Sequence, residues 1–260
     1  MVLERIRRRW SRLRRGRMWA SRLSYEEAAV LSPGDGHYRA FVGHPERFDL
    51  LSASQFSLLC ALGLREHHKV LDFGCGCLRA GRLLIPYLLP GGYVGVEPNA
   101  WLVEAGVEHQ LGKALLRIKR PAFFHNDDFR CPRTGHAFDF ILAHSIFSHC
   151  GSELIARGLS EFRAVLAPRG VCAVTFLTTS DAAASFRGQG WVYPDCVPYL
   201  PSELQALIED AGLVGVPIAW QHAGQTWYLL AHAAEHLPRP DELALLRGAV
   251  LERDVARGHA

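Results

Sequence analysis

The sequence predicts an α/β protein built on a doubly wound, seven-stranded, mostly parallel sheet with an antiparallel last strand, preceded by an N-terminal helical lobe. Three observations carry that prediction. Strand-length apolar runs alternate with helix-length amphipathic runs through the middle of the chain, which implies parallel strands joined by crossover helices. The run Val70-Leu-Asp-Phe73 enters a turn holding Gly74 and Gly76, and a helix opens directly behind it. The last two strands are separated only by a short Gly-containing turn, a spacing that suits an antiparallel hairpin at a sheet edge.

The elements follow in order. Residues 1–23 form a basic tail, in which Leu3, Ile6, Trp10 and Leu13 recur at helical spacing with arginines between them. Ser24-Tyr-Glu-Glu27 is a capping box that starts a short helix. A flexible, polar loop runs through Gly34–Gly43, and Phe48 to Leu62 reads as a helix stopped by Gly63. Residues 24–63 make up the lobe, with Tyr38 and Arg39 as candidates for a lid. Strands are expected at 69–73, 93–97, 122–125, 138–143 and 171–176, and helices at 79–89, 99–111 and 152–166. A helix near 202–212 then leads to strands at 214–219 and 225–232. The sheet domain spans 64–235, and a C-terminal helix at 239–256 lies within the last segment, 236–260.

Composition narrows the possibilities. The 260 residues are 49% apolar, enough for a substantial core. No stretch approaches the roughly 18 uninterrupted apolar residues of a membrane span, and the basic N-terminus lacks the apolar segment of a secretory signal. The seven cysteines show no framework spacing and read as reduced thiols of a cytoplasmic protein. Of the 29 Lys and Arg residues, nine arginines fall within residues 1–22 beside one acid, Glu4. The remainder is net acidic, so the body carries no basic excess of the kind that marks nucleic-acid binding. The tail reads either as an interfacial helix on the anionic inner membrane surface or as a solvated extension.

Candidate site residues cluster around the glycine turn. Gly74 and Gly76 let the backbone approach a ligand closely. Glu97, ending the second strand about twenty residues on, can accept from both hydroxyls of a ribose, the layout of a nucleoside site. Asp72 either caps the following helix or binds a ligand ammonium group through water. Arg79 either forms a structural ion pair or meets a ligand carboxylate, a contact worth roughly 1.5–3 kcal/mol. A dinucleotide fingerprint would place a glycine at position 79, where Arg79 stands. Cys75 and Cys77, with His67 and His68, lack the second ligand pair of a zinc site.

The pieces Val70-Leu-Asp-Phe-Gly-Cys-Gly76, Gly95-Val-Glu97, Asp127-Asp128-Phe129, Phe138-Asp-Phe-Ile-Leu-Ala143 and Leu166-Ala-Pro-Arg-Gly170, in that order, resemble the class I S-adenosylmethionine-dependent methyltransferases of bacterial type over residues 64–232. The resemblance implies a Rossmann-like sheet, S-adenosylmethionine as cofactor, and Asp72, Gly74, Cys75, Gly76, Arg79, Glu97, Asp128 and Phe129 as cofactor-binding residues. Asp128, or Asp127 in its place, would accept from the adenine amino group, with Phe129 lining the ring. Two departures stand out: Leu78 occupies the position of the family's third glycine, and Pro168-Arg169-Gly170 replaces Pro-Gly-Gly.

His144, Ser145, Phe147 and His149 follow the fourth strand, where the family places substrate. Either His149 or His144 can act as general base, or both can be packed core histidines. Their spacing does not put both rings on one helix face for a metal, and no metal is required. Neither an Asn/Asp-Pro-Pro-Tyr/Phe run nor a Pro-Cys nucleophile is present, which weighs against a nucleic-acid substrate. The loop Gly188–Pro194 with Tyr199 covers the acceptor or simply packs. The expected activity is methyl transfer to an oxygen or nitrogen of a small-molecule, lipid or glycan acceptor; a non-catalytic cofactor-binding module and an RNA methyltransferase are the alternatives.

Overall fold

A computed structural model of the chain describes residues 30–222 and 224–247. The arginine-rich tail and the capping box at Ser24 lie outside the described residues. The lobe contributes α1 (Tyr38–Phe41) and α2 (Phe48–Ala61). The sheet domain follows as β1 (Val70–Phe73), α3 (Gly81–Tyr87), β2 (Tyr93–Val96), α4 (Ala100–Gly106), α5 (Lys113–Lys119), β3 (Ala122–Phe124), β4 (Phe138–Ala143), α6 (Ser152–Val165), β5 (Leu166–Phe176), α7 (Pro201–Asp210), β6 (Val214–Ile218) and β7 (Thr226–Ala231), with α8 (Pro240–Leu243) at the end. Of the helix expected over 239–256, α8 and the turn after it are described, and residues 248–260 lie outside.

The seven strands order as β3-β2-β1-β4-β5-β7-β6. β1 through β5 pair in parallel, and β7 runs antiparallel to both β5 and β6. Strand side chains alternate between two cores, as the two-residue period of a strand dictates. Leu71, Ile141, Cys172 and Leu230 pack under α6 and α7; Val70, Phe140, Val171 and Leu229 pack on the face covered by α2 and α3. Both faces are therefore buried, which is why these strands read as continuous apolar runs. In α6, Ile155, Leu159 and Phe162 sit one or two turns apart and bury completely, while Gly158 admits the Phe147 ring. The edges of the sheet are the three-residue β3 and β6, which contains Pro217.

Element boundaries differ from expectation where backbone chemistry intervenes. Helix α3 starts at Gly81 rather than 79 because Leu78 takes a left-handed conformation, φ 63°, that no helix accommodates. The helix expected over 99–111 ends at Gly106 and continues as a single wide turn, Val107–Leu111. Gly112, at φ 80°, breaks it, and α5 follows. That helix is absent from the sequence reading, although Leu115, Leu116 and Ile118 carry its apolar side. Strand β5 begins at Leu166, with a register shift against β4 between Phe138 and Phe140. Among the described residues no helix is long and apolar enough to cross a membrane.

Candidate active site

The carboxyl ends of β1, β2 and β4 meet where the strand order reverses direction, the crevice in which open α/β sheets bind ligands. The turn after β1 is built from three left-handed residues: Gly74 at φ 79°, Gly76 at 53° and Leu78 at 63°. Leu78 thus adopts a left-handed conformation of the kind glycine favours. For a leucine this costs roughly 1–2 kcal/mol, offset by complete burial of its side chain. The turn is crowded from several sides. A Cβ on Gly76 would stand 2.7 Å from Val42 Cγ1, and one on Gly74 would overlap Ile146. Gly106 of α4 lies directly on the Cys77 carbonyl. Both glycines are therefore needed for contact with the protein's own side chains as well as for any ligand.

A small cavity of about 20 Å³ opens over this turn, lined by Val42, Gln55, Asp72, Gly74, Cys75, Gly76, Arg79, Ala80 and His144. The structure brings Asp72, Gly74, Cys75, Gly76 and Arg79 together here. Asp72 accepts from the Tyr93 hydroxyl at 2.7 Å and caps no helix; α3 has no side-chain cap. Burial raises its carboxyl to about 6, against the opposing pull of the Tyr93 bond and the nearby Arg79.

Arg79 is only 8% exposed. Its Nη1 donates to the Val42 carbonyl at 2.8 Å and its Nη2 to His144 Nδ1 at 2.7 Å. Nε is buried with no partner among the described residues, and no carboxylate there forms an ion pair with the guanidinium. Arg79 is therefore a desolvated cation with a donor to spare, facing a cavity. Glu97 is buried beside the turn. Its Oε2 accepts from Gly76 N–H at 3.2 Å, and its Oε1 accepts from the main-chain and side-chain N–H groups of Asn99 at 2.9 and 2.8 Å. Burial raises its pKa, and those donors pull it back. Oε1 is filled by the two Asn99 donors, so Oε2 is the oxygen with a lone pair left over.

Asp128 and Phe129 sit apart from the cavity. Asp128 is exposed and accepts from Asn126 Nδ2 and Arg130 N–H, which hold its carboxyl below the usual range. Phe129, at φ 61°, packs edge-on between Phe73 and Trp191.

The two histidines after β4 differ. His144 is buried with both nitrogens engaged. Nδ1 accepts from Arg79, so the neutral ring carries its proton on Nε2, which meets His222 Nε2 at 2.8 Å. Burial and the adjacent Arg79 push its pKa well down. His149 donates from Nδ1 to the Asp195 carbonyl at 2.6 Å, which leaves the Nε2 lone pair as the basic position. Burial lowers its pKa as well, partly reversed by that bond.

The loop after β5 is fastened to the segment carrying His149. Val192 N–H donates to the His149 carbonyl, Gly151 N–H to Gly190, and Val197 N–H to Ser148. Tyr199 donates to the Cys150 carbonyl. Tyr193 meets His149 edge-on at 4.9 Å between ring centroids and donates its hydroxyl to the Phe41 carbonyl, joining loop to lobe. Tyr38 and Arg39 do not face the cavity. Tyr38 stacks on His109, and Arg39 lies over Phe48 and pairs with Asp49. Val42 and Gln55 are the lobe residues that line the cavity, and the sequence reading did not single them out. It also missed Gln225, whose Nε2 donates to the hydroxyls of both Ser145 and Ser148.

S-adenosylmethionine carries an α-carboxylate, an ammonium group, a ribose and an adenine. The spare donor of a buried Arg79, the ionisable Asp72 and the buried Glu97 match the first three. Residues 71–172 match a family model described as a methyltransferase domain. A search of curated proteins finds no sequence match. Solved structures share the fold. They include the magnesium protoporphyrin IX methyltransferase of Synechocystis PCC 6803 with bound S-adenosylmethionine (TM-score 0.52, 13% identity, 72% of this chain and 81% of that one). The CcbJ methyltransferase of Streptomyces caelestis aligns at TM-score 0.54 and 15% identity, over 70% of this chain and 90% of that one. The mitomycin 7-O-methyltransferase MmcR aligns at TM-score 0.55 and 15% identity, over 75% of this chain and 56% of that one. Residues 71–172 are thus similar to a methyltransferase domain, and the described fold is shared with solved methyltransferases, one of them with bound S-adenosylmethionine.

Proposed function

We propose that this protein transfers the methyl group of S-adenosylmethionine to an oxygen or nitrogen of a small-molecule acceptor, with His149 as the general base. The single observation that carries the cofactor assignment is Arg79, a buried guanidinium that among the described residues has an unpartnered Nε and no paired carboxylate. Leaving a buried charge unpaired is costly, and a ligand carboxylate removes that cost. When bound, the cofactor supplies a methyl group activated by a sulfonium. The residues of this chain orient and hold it. Arg79 takes the carboxylate, Asp72 the ammonium group and Glu97 a ribose hydroxyl, while the backbone of Gly74, Cys75 and Gly76 forms the floor.

His149 is favoured over His144 as base because its Nε2 keeps a lone pair, whereas both nitrogens of His144 are engaged. Most of the acceleration in such a displacement comes from positioning, and a positioned general base contributes about 10²–10⁴-fold. A lipid or glycan acceptor remains within this reading, as does adenine recognition by Asp128 and Phe129 after rearrangement of that loop.

The test is calorimetric titration with S-adenosylhomocysteine. Wild type should bind it, and Glu97→Ala should weaken binding by roughly tenfold or more, a loss of about 1.4 kcal/mol per factor of ten. Folded wild type that binds neither S-adenosylhomocysteine nor S-adenosylmethionine would overturn the assignment.

A further inference from the structure

Trp191, in the loop after β5, is a large apolar side chain left 49% exposed. Its backbone is not loose. It bridges Cys150 across an antiparallel contact, and both neighbouring residues bond to the 149–151 segment. The indole is thus presented by a fixed frame. Around it stand Tyr193, nearly parallel at 22° with centroids 6.1 Å apart, Phe129 edge-on at 6.1 Å, and His149 at 5.6 Å. A half-exposed indole in ring contact with a histidine whose Nε2 is the basic position is a place for a flat ring carrying an ionisable proton.

We propose that the acceptor is a phenol, its ring laid against Trp191 and its hydroxyl delivered to His149 Nε2. This rests on the methyl-transfer reading above and specifies its substrate class. Three features select a phenol over other acceptors. The aromatic wall matches a planar ring. The charges around it are not arranged for an anion: Asp195 acts on His149 from the loop, and Arg187 of the same loop is paired with Glu203. A carboxylate would also need no base. Finally, a buried, neutral imidazole is a weak base. Proton transfer to it is far more favourable from a phenol, with a pKa of about 10, than from a hydroxyl as weakly acidic as water, about 15.7.

The step balances without a further reactant. The phenolic O–H proton passes to His149 Nε2. The oxygen electron pair forms the new bond to the methyl carbon, and the carbon–sulfur pair leaves with the thioether. The resulting imidazolium keeps its Nδ1–H on the Asp195 carbonyl, with the Asp195 charge nearby to stabilise it.

The experiment uses 2-naphthol and its saturated counterpart decahydro-2-naphthol, with the full chain. Binding is read by titration in the presence of S-adenosylhomocysteine, and turnover with S-adenosylmethionine. The expected result is that 2-naphthol binds and is O-methylated, with kcat/KM roughly 100-fold above that of the saturated alcohol, the scale of base assistance. Trp191→Ala should raise the Kd and KM for 2-naphthol about tenfold while S-adenosylhomocysteine affinity holds, and Trp191→Phe should recover most of the loss. His149→Gln should lower kcat and leave the 2-naphthol Kd in place. Wild type that binds S-adenosylhomocysteine but not 2-naphthol, equal turnover of the two alcohols, or an unchanged 2-naphthol Kd in Trp191→Ala would each overturn the proposal and leave methyl transfer standing. Failure to bind S-adenosylhomocysteine would overturn both.

Discussion

Arg79 Nη2 and His144 Nδ1 face each other at 2.7 Å, with the guanidinium donating and the imidazole accepting. The guanidinium has no acceptor capacity, so the direction of this bond is fixed. It locks His144 in its Nε2–H form and uses the lone pair a catalytic base would need. The same bond ties the cation beside the cavity to the segment that follows β4.

His144 and His149 should therefore separate in mutants. His144→Asn disturbs Arg79, and S-adenosylhomocysteine affinity should fall by about tenfold. His149→Gln should leave that affinity within about twofold and lower kcat by roughly 100-fold. Titration and single-turnover rates on the same preparations check both, and the reverse pattern would assign the base to His144. Arg79→Lys keeps the charge but loses the planar fork, and it should resemble His144→Asn in weakening cofactor binding.

Asp72 supplies a pH signature. Its folded-state pKa, about 6, lies above the ordinary carboxylate value of 3.8. Its contribution to stability is then fully present below pH 3.8 and is lost as pH rises through 6. His37 has the opposite sign. Its pKa is lowered to about 4, chiefly by burial, so its contribution is present above 6.5 and is lost as pH falls through 4. The two slopes oppose each other between about 4 and 6, so the melting curve of wild type alone hides both. The difference between wild type and Asp72→Asn isolates the first, and should grow in favour of the asparagine as pH rises from 4 to 7. S-adenosylmethionine, whose ammonium group favours ionised Asp72, should bind more tightly at pH 7 than at pH 5 in wild type, with the slope reduced in the variant.

Leu78→Gly tests whether conformation or packing dominates in the turn. The change relieves about 1–2 kcal/mol of left-handed backbone cost, but empties a site whose loss costs about 2–5 kcal/mol. Net destabilisation near 2 kcal/mol should lower Tm by roughly 5 °C. A variant as stable as wild type would mean that the strain outweighs the contacts.

The arginine-rich residues 1–22 lie outside the described structure, and their role is testable directly. If they lie on an anionic surface, co-sedimentation with phosphatidylserine-containing vesicles should disappear on their removal and weaken with salt, since each arginine adds about 1 kcal/mol near such a surface. Equal sedimentation of full-length and truncated chains would leave the tail as a solvated extension.

The sheet was legible because its strands are buried on both faces and announce themselves as apolar runs; even the antiparallel end follows from the short gap between β6 and β7. Helix α5 and the wide turn at Val107–Leu111 were not, because Gly112 interrupts a pattern that otherwise continues as one helix. In the site, Asp72, Gly74, Cys75, Gly76, Arg79 and Glu97 converge because they belong to two adjacent strand ends. Asp128 does not join them; its own loop supplies its partners. Val42, His222 and Gln225 were invisible for a different reason. They reach the site from 37 to 80 positions away in sequence, and nothing local marks a valine carbonyl or a loop glutamine as a partner for residues that distant.

The margins of the sheet have a consequence for handling the protein in bulk. A strand edge is an invitation to another strand. One margin, β3, is three residues long, and the other, β6, places Pro217, which has no N–H to offer, in its midst. Neither margin presents a full ladder for a second copy to extend. Concentrated solutions should therefore resist the growth of intermolecular β-structure, and aggregation on heating should track loss of the fold rather than accretion of intact molecules.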